Sequence, residues 1–371
     1  MGKGLKTAAA AVTILIVTAL TVGPAPAGAT LRCFGKPATI VGTNGADDIR
    51  GTPGSDVIVL RGGHDSVQAL AGNDRVCGGN GEDSIDLGPN ADRGSGGNAD
   101  DGISGGVGGD LLHGDAGFDF LFGEGGQDVS RGQAGGDAIV DGMGADRVLG
   151  GAGNDFLHGG EGNDRLQGGT GNFDLASYVT AESRVVVDLA ITGPQPTGQG
   201  IDRLIGLEGV DGSLHDDELF GNDLATPGGN GLFGFQGSDD LDGRARTDTI
   251  DGGPAGDTIH GGPGDDEGPT RFQGLLGGPG PDEIFGGGGD DDLRGQDGGD
   301  ILTGGENAED GPGDFGAGGG GVDTCRELES DNGTCEILTP RASVRRVGTG
   351  GVGTVGWAAV ADRWRRLGVR S

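Results

Sequence analysis

The chain has 371 residues, 90 of them Gly, a formal net charge of −33 and an aromatic content of 4%. Gly at this level without a three-residue period excludes a collagen helix, and so acidic and aromatic-poor a chain cannot build a core of ordinary composition. The charge excludes nucleic acid as a partner, because phosphates are repelled, and favours cations.

The first 29 residues read as a signal peptide. Lys3 and Lys6 precede an apolar run, "AAAAVTILIVTALTV" (8–22), and "APAGAT" offers cleavage after Ala27 or Ala29. The run is short for a membrane span and is followed by Pro24 and Pro26, so no transmembrane anchor is expected after its removal. The mature chain is therefore expected to be secreted and extracellular. Four cysteines in an exported chain suggest two disulfides among three possible connectivities, and proximity favours Cys33–Cys77 and Cys325–Cys335.

After a short N-terminal cap (30–41), residues 42–169 carry a nine-residue repeat. Asp recurs without a miss at 47, 56, 65, 74, 83, 92, 101, 110, 119, 128, 137, 146, 155 and 164. Gly stands two positions before it in twelve of these fourteen repeats, and Ile, Leu or Val two positions after it in twelve; Asn90, Ala99, Gly94 and Ser130 are the exceptions. The unit is G-G-x-G-x-D-x-U-x, with U aliphatic. Its glycines permit tight turns, and its last three residues make a very short strand with one side chain pointing inward. Two units would close one coil of a solenoid, with aliphatic ladders inside and an Asp-bearing turn on each edge. Carboxylates one coil apart, about 4.8 Å by strand spacing, repel unless a cation lies between them. Calcium suits such a site, being a hard ion that takes about six to eight carboxylate and carbonyl oxygens.

"GGAGNDFLH" and "GGEGNDRLQ" (150–167) resemble the hemolysin-type, or RTX, calcium-binding nonapeptide, and the likeness extends over roughly 42–325. This resemblance implies an all-β fold, a calcium-bound parallel β-roll, with ions shared by repeats n and n+2. An N-terminal signal, where many RTX proteins carry a C-terminal one, is similar to secreted Gram-positive, actinobacterial proteins. The expected ligands of multiple Ca2+ ions in the first array are Asp47, Asp56, Asp65, Asp74, Asp83, Asp101, Asp110, Asp119, Asp128, Asp137, Asp146, Asp155 and Asp164. Asp92, whose repeat has Asn90 and Gly94, is not assigned.

A joint (170–211) follows, in which "RVVVDL" (184–189) reads as a strand and Tyr178 is the chain's one tyrosine. The second, irregular array (212–325) adds Asp217, Asp239, Asp248, Asp257, Asp266, Asp282, Asp291 and Asp300 to the ligand set. Asp323 is also in phase, Asn230 and Gln273 occupy the slot elsewhere, and register slips fall near Gly228, near Pro269 and between Glu309 and Asp323. The tail (326–371) is basic, and "WAAVADRWRRL" (357–367) places Trp357, Val360, Ala361, Trp364 and Leu367 on one helical face.

No catalytic residues are expected. "GISGG" (102–106) fits a nucleophile-elbow pattern but lies inside the repeat. His113 and His158 close nonapeptides an odd number of repeats apart, so they belong on opposite sheets; the histidines are expected to face solvent. Leu111, Phe120, Phe122 and Phe156 are apolar at outward positions and offer a partner patch. The sequence thus reads as a secreted calcium-binding repeat protein, not an enzyme, that folds on extracellular calcium. Its role would be structural or surface-interacting, with a cell-wall or surface component as possible partner. An adhesin or binding module is the alternative, and a calcium-dependent hydrolase a more distant one.

Overall fold

A computed structural model describes residues 30–223, 229–266, 274–306, 314–326 and 330–331. Among them there is no helix, and all of the 34 strands but Arg32–Cys33, Lys36–Pro37 and Gln195–Pro196 wind into a parallel solenoid, the fold class that the repeat implies. Partners in each sheet lie one coil apart: Ile103 pairs with Leu121, and Leu121 with Ile139. The period-two alternation of short strands turns each aliphatic residue inward, where Ile85, Ile103, Leu121 and Ile139 on one wall face Val76, Leu112, Val148 and Leu166 on the other. The core is one cluster from Ile58 to Leu302.

Many strands are longer than the three residues expected. Arg93–Asn98 and Leu111–Ala116 each have six, because identical turns stacked in register continue the ladder into the next glycines. That stacking is close. A Cβ at Gly126, whose φ is +155°, would overlap the Gly108 carbonyl of the preceding coil. Two of the non-glycine residues that take positive φ in the turns, Asp115 and Glu124, accept side-chain bonds there: Ser95 Oγ donates to Asp115 Oδ2 (2.5 Å) and Ser104 Oγ to Glu124 Oε1 (2.6 Å).

The interruption between the arrays is one-sided. A fifteen-stranded sheet runs from Asp48–Arg50 through Leu175–Ser177 and Gly209–Asp211 to Ser330–Asp331 without a break. On the opposite wall a ten-stranded sheet ends at Ile201–Ile205, which pairs antiparallel with Gln195–Pro196, and a seven-stranded sheet begins at Val186–Asp188. That last strand is the one read in "RVVVDL". Tyr178, Val185, Val187, Leu204 and Leu207 fill the coil between the two walls.

Cys33 and Cys77 form the expected disulfide, fixing the Arg32–Cys33 and Lys36–Pro37 hairpin to the ten-stranded sheet. Cys325 is also disulfide-bonded, while Cys335, like Gln273, the signal peptide and the Trp-containing tail, lies outside the described residues. Two outward readings need correction. Phe156 is only 3% exposed, packed with Leu175 and Phe233 in a second cluster on the continuous sheet. His158, read as solvent-facing, is also 3% exposed, because the joint folds over it: its Nδ1 lies 2.7 Å from Ser177 O and its Nε2 3.0 Å from Thr180 Oγ1. It does lie on the sheet opposite His113. Leu111 is half-buried, and Phe120 and Phe122 remain exposed.

One polar pair sits inside the core. Ser130 occupies an aliphatic position and donates to Asp141 Oδ1 at 2.5 Å, both fully buried. Asp141 stands where the consensus has its first Gly, and burial holds its carboxyl well above the ordinary carboxylate range. Removing the donor alone by Ser130→Val should cost about 1–3 kcal/mol, the price of a buried group left unsatisfied. Pairing it with Asp141→Gly restores the consensus and should recover that loss; thermal unfolding of both variants in calcium tests the pair.

Candidate metal centres

Each turn sets its Asp by one recurring bond. The backbone N–H of Asp83 donates to Asp101 Oδ1 one coil later (2.7 Å), that of Asp101 to Asp119 (2.8 Å) and that of Asp119 to Asp137 (2.9 Å). On the other edge the same bond links Asp110 to Asp128 (2.7 Å) and Asp128 to Asp146 (2.8 Å). Every expected Asp is in one of the two edge ladders. One carries Asp47, Asp65, Asp83, Asp101, Asp119, Asp137 and Asp155, then Asp248, Asp266 and Asp291. The other carries Asp56, Asp74, Asp110, Asp128, Asp146 and Asp164, then Asp217, Asp239, Asp257, Asp282 and Asp300.

Further acidic residues join them. Asp92, left out on account of Asn90 and Gly94, accepts from Asp74 N–H (2.6 Å) and donates to Asp110 (2.8 Å) as its neighbours do; Asn90 takes a φ of 97° in its turn. Its register in the sequence was the signal. Asp174, Asp202, Glu208 and Asp314 also enter, at offsets of 19, 38, 34 and 23 residues from the N–H each accepts. No nine-residue count reveals these, because the intervening segments loop out while the ladder continues. Asp323 accepts from Asp300 N–H at 3.1 Å.

The second carboxylate oxygen is different. In Asp65, Asp74, Asp83, Asp92, Asp101, Asp110, Asp119, Asp128, Asp137, Asp146, Asp155 and Asp164, Oδ2 is buried without a hydrogen-bond partner, and the same holds for Asp239, Asp248, Asp257, Asp266, Asp282, Asp291 and Asp300. A buried, unpaired carboxylate oxygen is costly, and rows of them one coil apart are mutually repulsive. Oδ2 points over the bare Cα of the repeat's first Gly. A Cβ at Gly78 would overlap both Asp83 Oδ2 and the Gly96 carbonyl of the next coil, and one at Gly114 would overlap Asp119 Oδ2. Carboxylate and carbonyl oxygens therefore converge on a space that only Gly leaves open. Among the described residues no three His, Cys, Asp or Glu side chains come together. The donor set is carboxylate plus backbone carbonyl, all oxygen, which fits calcium and not a thiolate- or imidazole-seeking metal.

Burial is the main cause of raised carboxyl pKa values along both ladders. It lifts Asp101, Asp155 and Asp266 to about 8 and Asp119, Asp128, Asp164 and Asp257 to about 7. The N–H of the preceding coil opposes the shift, and neighbouring carboxylates add to it. These groups titrate higher folded than unfolded. Their protonation thus favours the ion-free solenoid fully below the ordinary value of 3.8, and that contribution is lost as pH rises through about 8. Calcium binds the ionised form, so protons compete with it. The half-saturating calcium concentration should fall as pH is raised from about 6 to about 8, and β-structure in chelator should grow as pH is lowered towards about 4. Calorimetric titration and circular dichroism across that range check both; a flat pH profile would contradict the buried-carboxylate account.

No curated protein matches the chain. The family model for the RTX calcium-binding nonapeptide repeat matches residues 41–76, 61–94, 104–139, 141–172, 233–267 and 275–308, just over half of the chain. With its stacked turns, paired ladders and oxygen-only donor sets, the chain belongs to the family of RTX calcium-binding nonapeptide repeats, as a calcium-binding β-roll protein whose repeats take multiple Ca2+ ions.

Proposed function

We propose that this chain is an exported protein that orders itself on meeting extracellular calcium and then acts as a structural or surface-interacting element, not as an enzyme. The observation that carries the reading is the row of buried, unpartnered Asp Oδ2 atoms. A solenoid with those oxygens ionised and no cation is opposed by repulsion and by the entropy of ordering so many glycines, and ion binding offsets both. Extracellular calcium is sufficient for sites of modest affinity, whereas low intracellular calcium would leave the chain unfolded for export. The export signal read in residues 1–29 supports the location, and no helix of the described residues is long and apolar enough to cross a membrane.

The solenoid also supports a non-catalytic role. Ser104, the serine of the "GISGG" pattern, is bonded to Glu124 at 2.6 Å on a sheet strand. The binding-module reading draws on a different feature: Phe120, Phe122, Val107 and Met143 are exposed on neighbouring strands of the continuous sheet. If the protein is exported and calcium-folded, the culture medium should contain a chain beginning near Thr30, and intact-mass measurement would show it. Cell-wall preparations should retain that chain in calcium and release it in chelator. An unprocessed chain confined to the cell would overturn the proposal; retention that survives chelation would separate surface binding from the calcium-ordered roll.

A further inference from the structure

The ladders are not uniform. At five half-sites the ion-facing position is satisfied by the protein itself. Thr43 N–H donates to Asp47 Oδ2 (2.6 Å) and its hydroxyl to the same atom (3.1 Å); Thr52 does the same for Asp56 (2.7 and 2.9 Å). Ser213 N–H donates to Asp217 Oδ2 (2.5 Å) and its hydroxyl to Oδ1 (2.8 Å). These three are the first Asp of each ladder in the first array and the first ladder Asp of the seven-stranded wall. At the end of the ten-stranded wall, Asp202 Oδ2 accepts from Thr197 Oγ1 (2.5 Å) and Tyr178 OH (3.3 Å).

The fifth is the most direct substitution. In an ordinary half-site the bare Cα of Gly78 looks at Asp83 Oδ2 and the Gly96 carbonyl; just past the joint, at the start of the second array, that of Gly221 looks at Asn230 Nδ2 and the Gly243 carbonyl. Asn230 Nδ2 donates to Asn222 O (2.9 Å), to Gly243 O (3.1 Å) and to Asp248 Oδ1 (3.1 Å). An amide nitrogen, a donor, thus stands among the oxygens that elsewhere surround an ion. Three of the five half-sites lie in the joint (Asp202) or just after it (Asp217 and Asn230), and the joint's coil also holds an apolar filling of Tyr178, Val185, Val187 and Leu204.

We propose that these five half-sites hold no calcium, and that the joint is an ion-independent clamp that stays folded when the arrays on either side lose their ions. The clamp would keep the two arrays joined along the fifteen-stranded sheet, giving each array an ordered end against which to refold. Asp47, Asp56 and Asp217 are then structural caps, not ligands. The inference rests on the reading that calcium orders the arrays, and the experiment separates the two.

Hydrogen exchange of the mature chain, followed by mass spectrometry in calcium and in chelator, tests the clamp. In chelator, amides of 101–166 and 239–300 should exchange freely, while those of 175–222 should remain slower by about tenfold or more, as a separately opening unit does. Joint amides that open together with the arrays would overturn the clamp and leave calcium-dependent folding intact. Arrays that stay protected in chelator would overturn calcium-dependent folding, and the ion count then decides the half-sites. For that, Asn230→Asp restores a carboxylate to the cradle, and native mass spectrometry at saturating calcium should find one ion more than in the parent. An unchanged count would mean that the amide does not exclude an ion.

Discussion

The repeat arrays depend on a buried carboxylate that recurs in most half-coils, of which one oxygen is bonded by the protein and the other is not. Oδ1 takes the N–H of the Asp one coil earlier and so locks the register of the turns. Oδ2 is left facing a carbonyl across the space over a glycine. Neither feature is useful alone. The N–H bond supplies order without neutralising charge, and the open cradle supplies a place for charge without order until the coils stack. A cation between coils completes both, which is why so acidic and glycine-rich a chain has a defined fold to adopt. The aliphatic ladder contributes burial of one Ile, Leu or Val per half-coil, enough to select the wall but little against the conformational entropy of the glycine turns.

Much of this was legible in the sequence. The phased Asp, Gly and aliphatic columns define turn, strand and inward face at once, because a period of nine leaves a single way to place all three. What the sequence did not show lies where the period fails. Asp174, Asp202, Glu208 and Asp314 occupy ladder positions that no count of nine reaches, since a ladder is continuous in space while the chain between its rungs has variable length. Asp92 was passed over because two neighbours departed from the consensus, yet Asn tolerates positive φ and the core side of Gly94 is covered by Ile103 and Leu87, so the turn forms all the same. Phe156 and His158 lie on outward positions as the alternation requires; their burial comes from the joint, whose path no local pattern encodes.

The joint divides one wall and not the other. On the continuous sheet, Leu175–Ser177 and Gly209–Asp211 keep the parallel pairing intact, while the opposite wall stops and restarts. The stop and the restart fall where hydroxyl and phenol groups meet the ladder residues Asp202 and Asp217, while the amide of Asn230 takes a ladder position beside the continuous sheet. Composition changes in step: the segment holds the chain's one Tyr and the consecutive Val185, Val186 and Val187, and its coil is filled by side chains in the ordinary way. Within one solenoid, then, two kinds of coil coexist, one closed by side-chain donors and apolar packing, the other built to be closed by an ion.

The central claim is that the cation, through the unpartnered Asp oxygens, orders the repeats. Its most direct test is far-UV circular dichroism of the mature chain, residues 30–371, titrated with calcium from a chelated start, with magnesium as control. The account predicts a cooperative gain of β-signal as calcium reaches the millimolar range of extracellular sites, absent with magnesium, whose small, rigid coordination shell suits a backbone cradle poorly. Full β-signal already present in chelator at neutral pH would contradict it, because the rows of buried carboxylates would then have to be tolerated without the ion.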